Sequence, residues 1–316
     1  MNTIYNGTAD SRLYKNVLGE TIAELLENDP QVCYLDADLM SCIGCGKLPQ
    51  KYDRAINCGI AEANMIGIAG GLSAAGFKPI CHSFGPFASR RCYDQVFLSG
   101  GYAKNSITII GTDPGITAAF NGGTHMPFED VAIYRAIPGA TIVDVTDVTM
   151  LKSFLYMAKD MPGVKFLRVG RKVSHPVYPE GTEFVAGKGF VLREGTDVVI
   201  IATGIMVHEA MQAALKLEAE GISAAVIDPF TIKPLDAELI REYAAKTGCV
   251  VTAENHNKIG GLYSAVKEVL DGEAKTGYVA IEDEFGEVGP QDYLRKRFDL
   301  TDDHIVRVVK ETLAKK

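Results

Sequence analysis

Short β-branched runs that alternate with longer segments of helical period constrain this chain more than any other feature. Val32–Leu35, Ala55–Cys58, Pro79–His82, Ile107–Ile110, Thr141–Val143 and Lys165–Arg168 read as strands. Between them, Arg12–Glu27, Ala61–Ala75, Ala88–Ser99 and Val148–Lys159 carry apolar residues at helical spacing. This order predicts a parallel sheet joined by right-handed crossovers, with helices on both faces. A second round follows, with strands at Val198–Ile201, Ala224–Ile227, Cys249–Thr252 and Tyr278–Ile281 and helices near 206–220, 236–246, 261–271 and 301–314. Residues 172–189 show neither period and hold Pro176, Pro179, Gly181, Gly187 and Gly189, so the boundary between two α/β domains falls there.

A length of 316 residues agrees with two domains. Lys plus Arg is 32 against 40 Asp plus Glu, a net charge of −8, and no segment gathers a basic face, so nucleic acid is not an expected partner. Apolar runs such as Val198–Ala202 are far too short to span a membrane. The start, Met1 to Gly7, lacks a basic region followed by an apolar stretch, and the cytoplasm is the expected compartment. Seven cysteines, an odd number, sit partly inside apolar runs and suit reduced thiols. The Cys42-Ile43-Gly44-Cys45 spacing has no second pair or suitable histidine to complete a metal site, so no metal ligands are expected in this chain.

The strand-to-helix junctions carry the chemistry-bearing residues. Gly111–Pro127 is long for such a connection and follows a strand, where open α/β sheets bind ligands. His125 is the titratable base in that loop, either an acid–base group or a surface residue. Glu62, in Asn57-Cys58-Gly59-Ile60-Ala61-Glu62, opens a helix whose dipole favours a carboxylate with or without a catalytic role. Gly67, Gly70, Gly71 and Gly76 make that helix small-sided, which fits close packing in a domain or subunit contact. Phe84 and Phe87 could be core or an aromatic wall for a planar heterocycle, and Arg90 and Arg91 are solvated residues or anion ligands. There is no G-x-G-x-x-G, no P-loop and no G-x-S-x-G.

In this order, Gly59-Ile60-Ala61-Glu62, Phe84 and Phe87 followed by Arg91-x-Tyr93-Asp94-Gln95, and Gly123-Thr124-His125 resemble the C-terminal half of transketolase. Glu254-Asn255-His256, Gly260-Gly261-Leu262 and Phe285-Gly286-Glu287-x-Gly289 extend the resemblance over nearly the whole chain. It implies a thiamine diphosphate pyrimidine-binding domain over 1–180 and a transketolase C-terminal domain over 188–316. It also implies that Glu62 matches the glutamate that hydrogen-bonds the cofactor's pyrimidine N1', allowing the cofactor's own imino group to deprotonate the thiazolium. Phe84 and Phe87 match residues flanking the pyrimidine, and Asp38 an aspartate on the thiazolium side. His125 matches the histidine that contacts the sugar's oxygens. Arg171 and Arg12 match arginines that bind a sugar phosphate.

Three positions depart from the family pattern. Asn121 stands for an aspartate, Met126 for a glutamine and Asp113 for a histidine near the phosphate channel. An acid there repels a dianion, and Arg90 is an additional cation that could compensate. The chain also lacks the Gly-Asp-Gly run that helps the family hold Mg²⁺ and the cofactor's diphosphate. The resemblance therefore implies a split transketolase: a separate N-terminal subunit carries the diphosphate and Mg²⁺ module, two copies of each form an α2β2 assembly, and a two-carbon ketol unit passes between sugar phosphates. The competing readings are a deoxyxylulose-phosphate synthase, the β chain of a 2-oxoacid dehydrogenase, which lacks the Gly-Thr-His loop, and a non-catalytic assembly subunit.

Overall fold

The computed structural model describes residues 3–316, so the first two residues of the 1–180 segment lie outside the described residues. Among the described residues, twelve strands form two sheets. Six of them, β1 (Val32–Asp36), β2 (Ala55–Asn57), β3 (Lys78–Phe84), β4 (Ile107–Thr112), β5 (Thr141–Asp144) and β6 (Val164–Val169), lie parallel in the order β5-β6-β4-β3-β1-β2. The second sheet has the order β12-β11-β8-β9-β7, from β7 (Phe190–Arg193), β8 (Val198–Ala202), β9 (Ala224–Asp228), β11 (Cys249–Asn257) and β12 (Lys275–Ile281). Its strands are parallel except for β7, which runs antiparallel to β9. Strand β10 (Thr231–Lys233) leaves this second set and adds an antiparallel edge to β5 of the first sheet. The architecture is thus the two-sheet α/β one that the alternation predicts.

Burial explains why these runs become strands. Ile107, Ile109 and Ile110 of β4 and Val198 to Ile201 of β8 are fully buried on both faces, as expected where helices cover a parallel sheet. Each such side chain contributes about 1.5–3 kcal/mol of transfer free energy. The stretch 172–189 contains no helix or ladder strand, yet it is no free linker: Val177, Tyr178 and Phe184 enter the core. Tyr178 donates to Asp228 Oδ2 at 2.7 Å, and Asp147 Oδ2 accepts from the backbone N–H groups of Val177 and Tyr178.

The segment expected as a helix over 88–99 is helical throughout but changes type along its length: α at Gly85–Ser89, 3-10 at Arg90–Cys92, α at Tyr93–Gln95 and π at Val96–Tyr102. Gly100 and Gly101 lie so close to Val164 and Ile137 that an added Cβ would collide with both side chains.

A buried polar cluster joins the two sheets. Arg168 on β6, 1% exposed, donates to Asp130 and Asp144 at 2.9 Å each and to the carbonyl of Asn255 on β11. Asp144 also accepts from Thr203 after β8. The seam places the C-terminal ends of both sheets beside one another, and the long loop after β4 runs between them.

Candidate active site

The chain passes from β1 outward to β2 and then back to β3 on the other side of β1, so β1 and β3 flank a topological switch point. Polar side chains cross the strands there. Tyr34 donates to Asp36 Oδ2 at 2.6 Å, His82 Nδ1 meets the same oxygen at 2.6 Å, and His82 Nε2 lies 3.2 Å from Thr112 Oγ1 on β4. Asp36 also accepts from the Leu39 N–H, which shapes the turn holding Asp38 in the left-handed region at φ 67°. Asn57 donates to Asp38 Oδ1 while its own Oδ1 accepts from the Gly59 N–H. These contacts tie the Asp38 turn to the Gly59 turn that leads into Glu62.

Glu62 starts the helix Glu62–Ala74 and is 4% exposed. Its Oε1 accepts from Ser83 and from Arg91 Nη1, each at 3.2 Å. The Arg91 guanidinium lies 3.7 Å from the centre of the Phe87 ring, so a planar N–H donor already stacks there while bonding the carboxylate. His125 meets Phe87 edge-on at 5.1 Å and Phe84 at 6.1 Å. Arg171 lies 5.0 Å over Phe84. Glu62, Phe84, Phe87, His125 and Arg171 are therefore linked side by side around one aromatic pair.

The loop that delivers His125 is anchored rather than loose. Asn255 accepts from the Ile116 N–H and donates to the Pro114 carbonyl, and Gly115 at φ 52° leaves room for that amide. Gly123 lies against the Gly286 backbone, where a Cβ would strike the carbonyl oxygen. Between these anchors the chain forms a 3-10 stretch over Gly115–Asn121 that is kinked at Ala119, strained at φ 49°, and then a 3-10 turn at Gly123–His125. The resembling motifs of the C-terminal part thereby gain structural roles. Asn255 and Gly286 brace the loop, and Glu254 accepts from the Leu262 and Tyr263 N–H groups at the start of a helix.

Other expected residues lie apart from this group. Arg12 pairs with Asp10 at 3.1 Å and Glu180 at 3.3 Å, along a groove lined by Val148, Lys152 and Tyr156. Arg90 pairs with Glu129 at 2.9 Å, donates to the Thr124 carbonyl and lines a groove with Asp283 and Glu284. A carboxylate of this chain engages each of these guanidinium groups, as Asp113 engages Arg171. Asn121 is exposed on the loop, four residues before His125. Gly67 and Gly71 have no atom within reach of an added Cβ, so no other part of this chain covers that face of the helix among the described residues. All seven cysteines are free, and burial pushes Cys45 up to about 12. No helix among the described residues is long and apolar enough to cross a membrane.

Sequence reasoning missed the Asp36–His82 pair and the bond between Arg91 and Glu62. The signal for the first was a polar, titratable residue at or just past the end of each of two apolar strand runs.

The fit to thiamine can be judged from the donor set. A buried carboxylate accepting from a planar nitrogen group stacked on Phe87 is the arrangement an aminopyrimidine needs, so these residues suit that group.

Comparison with known proteins agrees with this geometry. Residues 11–174 match the family model for the transketolase pyrimidine binding domain, and residues 187–305 that for the transketolase C-terminal domain. The chain is 43% identical to the 6-deoxy-6-sulfo-D-fructose transketolase subunit SqwH of Clostridium sp. (strain MSTE9), covering 100% of this chain and 99% of that protein. It is 35% identical to a subunit of the apulose-4-phosphate transketolase of Phocaeicola vulgatus, over 79% of this chain and 81% of that one. A solved split gene transketolase, an inactive beta4 tetramer, superposes with a TM-score of 0.88 at 35% identity, covering 96% of this chain and 99% of that one. The chain belongs to the transketolase family, which implies thiamine, and is a transketolase subunit that acts with a partner subunit.

Proposed function

We propose that this chain forms the pyrimidine-facing side of a thiamine diphosphate site, and that an N-terminal subunit with the diphosphate and Mg²⁺ module completes it as an α2β2 assembly in the cytoplasm. The observation that carries this reading is the buried Glu62 carboxylate facing a planar donor stacked on Phe87. When bound, thiamine diphosphate supplies the thiazolium carbon through which a ketose is cleaved and its two-carbon ketol unit moved to an aldose. Glu62 hydrogen-bonds the pyrimidine nitrogen and holds a proton there. Phe84 and Phe87 flank the ring and exclude water. Asp38, braced by Asn57, lies toward the thiazolium. His125 donates to or accepts from the sugar's oxygens during proton transfer, with its ring held against Phe87.

The substrates in this reading are sugars with an acidic far end that reaches Arg171. The names of the relatives, one for sulfofructose and one for apulose 4-phosphate, support that class. Asn121, exposed on the loop that carries His125, is assigned to the sugar as well, whereas Arg12 and Arg90 contribute through their own ion pairs. The segments 1–180 and 188–316 act as the pyrimidine-binding and C-terminal domains. The bare face at Gly67 and Gly71 is covered by a neighbouring protomer.

The test is reconstitution. The isolated chain with thiamine diphosphate and Mg²⁺ should transfer no ketol unit, and adding the subunit with the Gly-Asp-Gly run should restore transfer. Full activity of the isolated chain would contradict the proposal.

A further inference from the structure

The far end of the site, beyond Phe84, carries a pair of opposite charges of which only the cation, Arg171, has a role in the reading above. Arg171 Nε lies 2.5 Å from Asp113 Oδ2. Asp113 is 1% exposed, and neither of its oxygens makes an aligned hydrogen bond. Its backbone sits just after β4 in the left-handed region, φ 60°, with its N–H bonded to the Val169 carbonyl. The carboxylate is thus fixed from beneath. Burial raises its pKa, and Arg171, His82 and Lys172 oppose that rise.

Arg171, held over the Phe84 ring, and Lys172 are the two Lys or Arg cations that act on Asp113, and their N–H donors suit a tetrahedral oxyanion. Two cations beside one buried carboxylate leave this end of the site with a single net positive charge. Arg12, the other arginine expected at a sugar phosphate, is paired with Asp10 and Glu180.

We propose that Arg171 and Lys172 receive the far end of the substrate, and that Asp113 sets them to prefer a singly charged sulfonate over a phosphate dianion. The inference rests on the transketolase reading. Sulfonate and phosphate each offer three oxygens to the same donors, so hydrogen bonding separates them little. Charge separates them. A phosphate monoester carries roughly 1.5–2 negative charges at neutral pH. Its extra charge meets the Asp113 carboxylate across a partly buried space, where screening is weak.

Three ketose donors that differ only at the far carbon test this: D-fructose, 6-deoxy-6-sulfo-D-fructose and D-fructose 6-phosphate, each assayed with the reconstituted complex. Wild type should favour the sulfonate over the phosphate in kcat/KM by about tenfold or more. Asp113→Asn should shrink that ratio by about tenfold, through KM rather than kcat, and leave the uncharged donor within about twofold. Lys172→Gln, which leaves the buried pair alone, should weaken both charged donors relative to fructose. Equal or better use of the phosphate by wild type, an unmoved ratio in Asp113→Asn, or equal losses on all three donors would overturn the assignment. Loss of every preference for charged donors in wild type would do the same. No turnover with any ketose would overturn the transketolase reading and this proposal with it, whereas turnover with an unmoved ratio overturns the proposal alone.

Discussion

The seam between the two sheets and the mouth of the site are both built from charged and aromatic side chains, but they resolve their charges in opposite ways. At the seam, Arg168 is enclosed and answered on three sides by Asp130, Asp144 and the Asn255 carbonyl. At the mouth, Glu62 is buried while its partner Arg91 is half-exposed, with a side-chain exposure of 48%. His125 rests against aromatic rings, and Arg171, which stays partly exposed, meets one ring and the single buried carboxylate of Asp113. A buried ion pair with every partner present fixes geometry, and removing one member leaves an uncompensated charge. A carboxylate that meets a movable cation at the surface can exchange that cation for another donor. The seam therefore determines how the two halves sit, and the mouth is where substitution should alter chemistry without unfolding the chain.

The sharpest break of this comparison is Glu62→Ala in the reconstituted complex. Turnover should fall by roughly 10³-fold, with a thermal midpoint close to wild type; a large loss of stability instead would put Glu62 with the seam. Arg168→Leu should do the reverse. It strands Asp130 and Asp144 in the interior, so chemical denaturation should register a loss of about 3–5 kcal/mol, and a stable, active variant would remove the distinction. His125→Ala should lower kcat/KM by roughly 10²-fold with the fold intact.

The pH dependence of stability sharpens the same contrast. Burial pushes the carboxyls of Asp228 and Glu254 up to about 7. Their unfolded values are about 4, so the folded chain binds the extra protons between those limits. That stabilisation is complete below about pH 4 and is lost as the pH rises through about 7. Denaturation midpoints should fall between pH 5 and 8, and Glu254→Gln should make the fall shallower; an unchanged slope would show that Glu254 takes no part. The smallest effect belongs to Arg90→Ala, whose pair with Glu129 is partly exposed and should change stability by about 1 kcal/mol or less.

The two regions also differ in how far the sequence discloses them. Ten of the strands announce themselves through β-branched runs. Strands β7 and β10 do not, because Phe190–Arg193 follows a Gly-rich stretch and Thr231–Lys233 is three residues between Pro229 and Pro234, a pattern that reads as a turn. Glu62, Phe84, Phe87 and His125 were legible because each lies at a junction after a strand. The pairing of Asp36 with His82 was not, since it depends on the register of β1 against β3, 46 residues apart. The same holds for Arg171 with Asp113 and for the capture of Arg12 and Arg90 by carboxylates of this chain. Each charged residue can be read singly from the chain; which partner it meets is decided by strand order and loop anchoring.

The most direct measurement of the central claim is hydrogen–deuterium exchange at the thiazolium C2 of thiamine diphosphate bound to the reconstituted complex, followed by NMR. With the wild-type chain, exchange should be far faster than in free cofactor, and with Glu62→Ala it should drop toward the free rate while the cofactor stays bound. Equal, fast exchange in both complexes would contradict the assignment of Glu62 as the group through which this chain activates the cofactor.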